Sequence, residues 1–587
     1  MIKVKKQSFV RGALILITAN FFVKIIGAIF KIPLANFLGK NGMGLFSVAY
    51  QIYTFMFIIA TAGFPIAVSK MISEYEAKKR YRDCENIFKT ALMLLGFIGL
   101  LGSILLFLFS KKFACFLGNE ESYLSIIAIS PAIFFVSILS VFRGYFQGMQ
   151  NMYPTALSEI VEASVKLFLG LFLTIFFTKM TINPSLNKIF SLQTKQIKSL
   201  EIKTQMASSG AIFGVTCGTF LSLLILFFMY IRQKTKENNK NIKQELKKRT
   251  ILKKLVMIAI PITIGASVSS ITSVVDLATT MNRLIVNPKV FERYNHLFCE
   301  GTKFYQNFSN KNLDDSEILE KKSNILYGMY NGYAIPIFNL PLTIIVALAM
   351  CLVPAISSEI AKKNFKNAQE KAQNALKITS IFAMPCSFGV CALSKPILFF
   401  LYNGDTDAKF VLQKLSLAIF FVSIVSVSNS ILQAYGKLYL PVFSMLIGGI
   451  IKIFFNFFLI PIYGVDAVPI STIICYVSIA LLNLFFIFKF FKIKLESIFF
   501  IKIFLSSMIM YYFSCFSYNF ISGIKIFKDF YLANFKFLDI ISLLVTIFMS
   551  FILYIINIFL LRIIEIKDLL MLSSNSKINS ILKKFNQ

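Results

Sequence analysis

Apolar residues along this chain come in blocks of about 20 or more, separated by short polar stretches. A block of that length, coiled as a helix, crosses a hydrocarbon core of roughly 30 Å. In lipid every backbone N–H and C=O must be bonded within the segment, which favours helices. The pattern therefore predicts an all-α polytopic membrane protein. About fourteen spans are expected, near 9–30, 44–69, 87–110, 122–142, 154–178, 207–231, 255–285, 328–358, 376–400, 411–435, 439–461, 464–491, 497–521 and 537–561. The first block begins at Phe9, is long and lacks a small-residue cleavage site, so it reads as a spanning helix rather than a removed signal.

The blocks repeat. Residues 130–141 read SPAIFFVSILSV and residues 416–427 read SLAIFFVSIVSV, ten of twelve identical at an offset of 286. At the same offset Gln147, Tyr153 and Lys166 fall on Gln433, Tyr439 and Lys452, and Phe168 and Leu173 on Phe454 and Leu459. Spans four and five thus echo spans ten and eleven. Earlier, ANFL (35–38) resembles MNRL (281–284) at an offset of 246, and Pro65 lies over Pro354 at the ends of spans two and eight. The offset grows because 287–326 is inserted. Chance likeness among Ile/Phe-rich helices does not hold Gln, Tyr and Lys in register. A repeat after six spans keeps its orientation, so two parallel six-helix bundles around a central cavity are expected, plus two extra C-terminal helices. Such a plan belongs to alternating-access transporters. The expected divisions are 1–231, a basic cytoplasmic linker 232–254, 255–492, and 493–587 with the last two spans and a cytoplasmic tail.

Composition supports the membrane assignment and removes others. The chain of 587 residues is 57% hydrophobic, with a mean hydropathy of +0.72. Its net charge of +33 is not read as nucleic-acid binding, because the basic residues sit in short loops beside apolar blocks, as topology signals do. Lys3, Lys5, Lys6 and Arg11, six basic residues in 70–89, ten in 232–254, and Lys362, Lys363, Lys366, Lys371 and Lys377 place both termini in the cytoplasm of a multi-pass cell-membrane protein. The outer segments 179–206 and 287–326 read as exposed or interfacial insertions. The nine cysteines are scattered without a CxxC, so neither a disulfide framework nor a metal site is indicated.

Several local stretches carry a family likeness: KIIGAIFKIPLANFLG (24–39), GMGLFSVAYQIYTF (42–55), GFPIAVSKMISE (63–74) and FRGYFQGMQNMYP (142–154). Over spans one to twelve the chain resembles the multidrug/oligosaccharidyl-lipid/polysaccharide exporter superfamily. Within it, the likeness is to polysaccharide and lipid II flippases of the stage V sporulation protein B type. The resemblance implies a transporter, not an enzyme, with a polyprenyl-diphosphate-linked oligosaccharide as substrate, membrane lipids around it and no cofactor. It also implies that the added C-terminal pair of helices helps form a groove for a lipid tail.

A charge at mid-bilayer costs on the order of 3 kcal/mol, so each one needs a reason. In PTALSEIVEASVKLFLG (154–169), Glu159, Glu162 and Lys166 share a helix face, and Glu162 and Lys166 are spaced as an i,i+4 pair. Lys452 is as deep in GGIIKIFFNFFL, with no acid one turn before it. Lys24 lies deep in span one, with Asn20 one turn below. Span seven carries the stripe Ser269, Ser273, Asp276, Thr280, Arg283. Excess cations in a wet cavity suit an anionic diphosphate, for which lysine is a good point charge. Lys24, Lys166, Arg283, Lys452 and Asn20 are therefore the candidate substrate-binding residues. Lys24 and Lys452 are expected to be unpaired, while Arg143, Arg283 and Lys31 could snorkel to an interface. Glu159, Glu162 and Asp276 are candidates for binding a coupling ion or for charge pairing. Internal pairing that only ties helices together is the alternative.

The function these features converge on is a flippase for an undecaprenyl-diphosphate-linked sugar, lipid II or a related envelope or spore-cortex glycan precursor. A cation-coupled drug exporter of the same superfamily is the first rival, although span one offers Lys24 where the resembled drug exporters often have an acid. A membrane enzyme acting on a lipid diphosphate is the second; it would have to use Asp314, Asp315 and the lone His296 of an outer loop.

Overall fold

The computed structural model describes residues 9–179, 197–234, 246–298, 315–491, 497–523, 531–532 and 535–563. Lys3, Lys5, Lys6, most of 179–206, the middle of 232–254, Asp314 and the tail with Lys567, Lys577, Lys583 and Lys584 lie outside these residues. Each of the fourteen predicted spans falls on a helix. Eleven continuous stretches among the described residues are long and apolar enough to cross a membrane. Two of them, Thr18–Ala77 and Tyr439–Phe491, each hold two predicted spans. The span at 255–285 lies in the 39-residue helix Lys248–Val286. The architecture is all-α apart from a two-residue antiparallel pairing, Tyr531–Leu532 with Phe535–Lys536.

The helices are α1 Phe9–Thr61, α2 Phe64–Ala77, α3 Tyr81–Leu108, α4 Ser110–Phe116, α5 Tyr123–Gly148, α6 Tyr153–Lys179, α7 Ile197–Lys234 and α8 Lys248–Val286. They continue with α9 Asp315–Gly328, α10 Ile335–Ala361, α11 Phe365–Ala392, α12 Lys409–Ala434, α13 Tyr439–Tyr463, α14 Ala467–Phe491, α15 Ser497–Gly523 and α16 Phe537–Leu560. The α1 run is two helices joined at Gly39, whose φ of 65° breaks the helical path and favours glycine.

By its contacts the chain divides into two units, Met1–Thr343 with Leu438–Ser478, and Ile344–Lys437 with Ile479–Gln587. In the first, Val68, Met71, Ile72, Ile87, Phe88, Phe142, Phe146, Leu226 and Leu255 form one buried cluster across α2, α3, α5, α7 and α8. Lipid tails are as apolar as these side chains, so close packing rather than water exclusion holds such helices together. Gly144 shows how: a Cβ there would lie 2.8 Å from the Pro65 carbonyl, so only glycine lets α5 approach α2 this closely. Asp83, at the N-terminal turn of α3, is buried and bonded to Arg80 at 2.6 Å and to the Leu246 N–H at 2.8 Å.

The insertion 287–326 is not simply an exposed loop. Val290, Phe291, Tyr294, Leu297 and Phe298 are buried. In α9, the Asn324 side chain donates to the Asn41 carbonyl at 3.0 Å and accepts from Asn119 at 2.6 Å. Lys321 bridges Glu201 at 2.6 Å and Glu121 at 3.6 Å. The apolar residues interleaved among the segment's acids and lysines account for this burial.

In the second unit, Phe499, Ile503, Met510, Tyr554 and Ile558 of α15 and α16 pack with Ile381, Met384 and Phe388 of α11. Tyr554 donates to the Ile381 carbonyl at 2.7 Å, and Ser514 and Ser550 pair at 2.8 Å. Phe516, Phe520, Phe548 and Phe551 stay exposed, the pattern of side chains whose solvent is lipid.

Candidate functional site

A cavity of about 650 Å³ opens within the first unit, walled by α1, α2, α5 and α6. That is within the roughly 300–1,000 Å³ usual for ligand sites. Its charged lining is Lys24, Arg143, Glu159, Glu162 and Lys166; its rings are Phe30, Tyr50, Tyr53 and Phe57; Asn20, Gln147, Thr54, Thr61 and Ser140 add uncharged polar groups. The spacing of Tyr50, Tyr53 and Phe57 at i, i+3 and i+7 puts them on one helix face, with successive ring centroids 5.9 and 5.7 Å apart.

At one end Glu162 is paired. Arg143 Nη2 contacts Glu162 Oε2 at 2.9 Å, and Arg143 Nε donates to the Ser158 hydroxyl at 3.0 Å. The Tyr53 hydroxyl donates to Glu162 Oε1 at 3.3 Å. The expected pair within α6, Glu162 with Lys166, is replaced by this cross-helix one. A surface i,i+4 pair is worth only about 0.2–0.5 kcal/mol, and a buried charge-assisted bond to guanidinium is stronger. Arg143 does not snorkel: it is 7% exposed, held between α5 and α6.

At the other end Lys166 meets no carboxylate among the described residues. Its Nζ donates to the Tyr50 hydroxyl at 2.9 Å and lies 4.3 Å from the Tyr50 ring centroid and 5.1 Å from that of Phe30. Lys31 Nζ lies 5.5 Å from the Tyr50 ring centroid, so it too stays in the helical bundle. Lys24 lines the same cavity and makes no ion pair or hydrogen bond with a described residue. Asn20 lines it as well, with its amide bonded back to the Leu16 carbonyl at 3.1 Å.

Lys452 behaves differently from its expectation. It is 9% exposed and paired, its Nζ 2.9 Å from Asp276 Oδ2. Asn456 donates to Asp276 Oδ1 at 2.6 Å and to Thr279 at 3.3 Å, and accepts from Ser471. The acid comes from α8, a neighbouring helix, and not from the preceding turn of α13 where the sequence reading sought it. Within the polar stripe of α8, Asp276 and Thr280 are buried. Arg283 is half-buried with its guanidinium 3.3 Å from the Phe457 ring centroid, and it is not part of the cavity wall. The structure thus gathers Asn20, Lys24, Glu159, Glu162 and Lys166 in one place and separates Asp276, Arg283 and Lys452 from that wall. Sequence reasoning missed Tyr50, Tyr53 and Arg143. The aromatic spacing on α1 was the available signal for the tyrosines; for Arg143, nothing in its own segment pointed to a buried acid.

Of the enzyme rival's residues, Asp315 and His296 are exposed, and no cluster of metal-ligating side chains occurs among the described residues.

The fold and this polar cavity inside an apolar helix bundle define a multi-pass membrane protein with a walled polar chamber. A polysaccharide biosynthesis protein family model matches residues 9–193, and a lipid II flippase MurJ model matches residues 327–542. The chain is 26% identical to stage V sporulation protein B of Bacillus subtilis over 374 residues, 64% of this chain and 62% of that one. It is 24% identical to the lipid II flippase MurJ of the same organism over 494 residues, 80% of this chain and 81% of that one. Its fold is that of a solved lipid II flippase MurJ in an inward closed conformation, at a TM-score of 0.62 and 17% identity, covering 93% of this chain and 98% of that one. These matches support the chain's resemblance to the multidrug/oligosaccharidyl-lipid/polysaccharide exporter superfamily, on the side of its polysaccharide and lipid II flippases.

Proposed function

We propose that the chain moves an undecaprenyl-diphosphate-linked sugar, a peptidoglycan precursor or a related envelope or spore-cortex glycan unit, across the cytoplasmic membrane by alternating access. Residues 1–231 and 255–492 act as the two moving halves, joined by the basic linker 232–254 and followed by 493–587, with both termini in the cytoplasm. One observation supports this most: Lys24 and Lys166 line the same cavity, and neither ion-pairs with a described carboxylate. An ammonium left without an anion inside the bilayer is costly. A diphosphate head group entering the cavity removes that cost, since its oxygens replace both water and the missing carboxylate. Attraction of this kind is strongest while the head group is inside, which favours the loaded state in which the halves exchange access.

The test is transport of a fluorescent undecaprenyl-diphosphate sugar in sealed vesicles. Lys24→Ala and Lys166→Ala should each slow transport by about 10- to 100-fold at unchanged insertion, the loss expected for one charged contact. Wild-type rates in both would contradict the reading. In cells, depletion of the protein should leave its lipid-linked substrate on the inner leaflet, where its sugar can be identified.

A further inference from the structure

The lysine end of the cavity accounts for an anion. The opposite end asks for something else. Glu159 lines the cavity, and its Oε2 is buried and accepts no hydrogen bond from any described residue. The nearby guanidinium makes its bonds elsewhere: Arg143 serves Glu162 through Nη2 and Ser158 through Nε, and it does not reach Glu159 Oε2. Two carboxylates three residues apart thus share one arginine, and one carboxylate oxygen is left over. A desolvated carboxylate oxygen without a donor costs free energy, and its lone pairs remain available to an N–H or O–H from a ligand. Tyr53 and Phe57 line the same cavity, and the electron-rich faces of such rings attract ammonium groups. A carboxylate oxygen without a donor, in a cavity with aromatic faces, is the chemistry of an amine site, just as lysine with a phenol suits phosphate. Glu159 and Lys166 are seven residues apart on α6, or about 10 Å along the helix axis. A diphosphate joined to a sugar ring can bridge that spacing.

We infer that the cavity is two-ended and takes a ligand bearing both a phosphate group and a free amine, the phosphate at Lys166 and Tyr50 and the amine at Glu159. This rests on the proposed function and narrows its substrate class to a lipid-linked glycan whose head group carries an amino group.

The test uses the full chain in lipid nanodiscs and four probes: undecaprenyl diphosphate, the same carrier with N-acetylglucosamine, the same carrier with glucosamine, and soluble glucosamine 1-phosphate. Wild-type protein should bind the glucosamine carrier about tenfold tighter than its acetylated counterpart, as one charged hydrogen bond predicts. Glu159→Gln should bind the two within about twofold, and should bind the sugar-free carrier as wild type does, which shows that the variant is folded. Equal binding of both sugars by wild type, or a preference that survives Glu159→Gln, overturns the two-ended site and leaves the flippase reading standing. Failure of every undecaprenyl carrier to bind overturns the flippase reading itself. Soluble glucosamine 1-phosphate should bind weakly; if it binds as tightly as the glucosamine carrier, with the same dependence on Glu159, the two-ended site stands and its lipid-linked source is overturned.

Discussion

Lys166 and Lys452 occupy the same position in the sequence repeat, 286 residues apart, and meet opposite surroundings. Lys166 faces a cavity and touches a phenol and two aromatic rings. Lys452 is closed in against Asp276, with Asn456 holding the other carboxylate oxygen. The repeat identifies the exchange responsible. The offset of 246 sets Phe30 of the first half against Asp276 of the second, and the offset of 286 sets Gly170 against Asn456. Where the first half has a ring beside its lysine, and a glycine whose Cβ would lie 3.0 Å from that ring, the second half has a carboxylate and the amide that orients it. A ring attracts an ammonium by about 0.5–2 kcal/mol without neutralising it; a carboxylate cancels its charge. One inherited lysine has thus become a free cation in a cavity, and its copy a tie between α8 and α13. The residue across the helix interface decides which.

The comparison can be broken most sharply at Asp276. Asp276→Ala leaves Lys452 buried without its anion and should destabilise the fold by about 3–5 kcal/mol, read as a large drop in unfolding temperature in detergent. The double replacement Asp276→Leu with Lys452→Met removes both charges and should restore most of that loss. Next in size, Phe30→Asp would give Lys166 the partner that Lys452 has. Transport should fall by about 10- to 100-fold, to the level of Lys166→Ala, in protein that still folds; a transport rate unchanged by a carboxylate at this position would sink the idea that the free charge of Lys166 matters. Smallest is Tyr50→Phe, which keeps the ring and removes the hydroxyl that accepts from Lys166. A loss of about 1 kcal/mol, or roughly fivefold in substrate affinity by equilibrium binding, is expected.

The membrane class and the helical elements were legible because block length against bilayer thickness is a one-dimensional signal. The repeat was legible for the same reason. Deep charges such as Lys24, Glu159 and Lys166 could be singled out because lipid makes each of them costly, and they do share one cavity. What could not be read was partnership. Glu162 looked paired to Lys166 because both lie on one helix, yet Arg143 reaches it from α5. Lys452 looked unpaired because its acid lies 176 residues away on α8. Local spacing fixes which face a side chain occupies; helix packing chooses what stands opposite, as where Gly449 of α13 lies close against Thr272 of α8.

The most direct measurement compares two variants in one vesicle assay, with unfolding temperature recorded for each. Lys166→Ala should retain near-native stability and lose most transport of an undecaprenyl-diphosphate sugar. The Asp276→Leu, Lys452→Met pair should transport at close to the wild-type rate per folded molecule. Normal transport by Lys166→Ala, or transport abolished in a stably folded Asp276→Leu, Lys452→Met protein, would contradict the assignment of anion binding to the first half of the repeat.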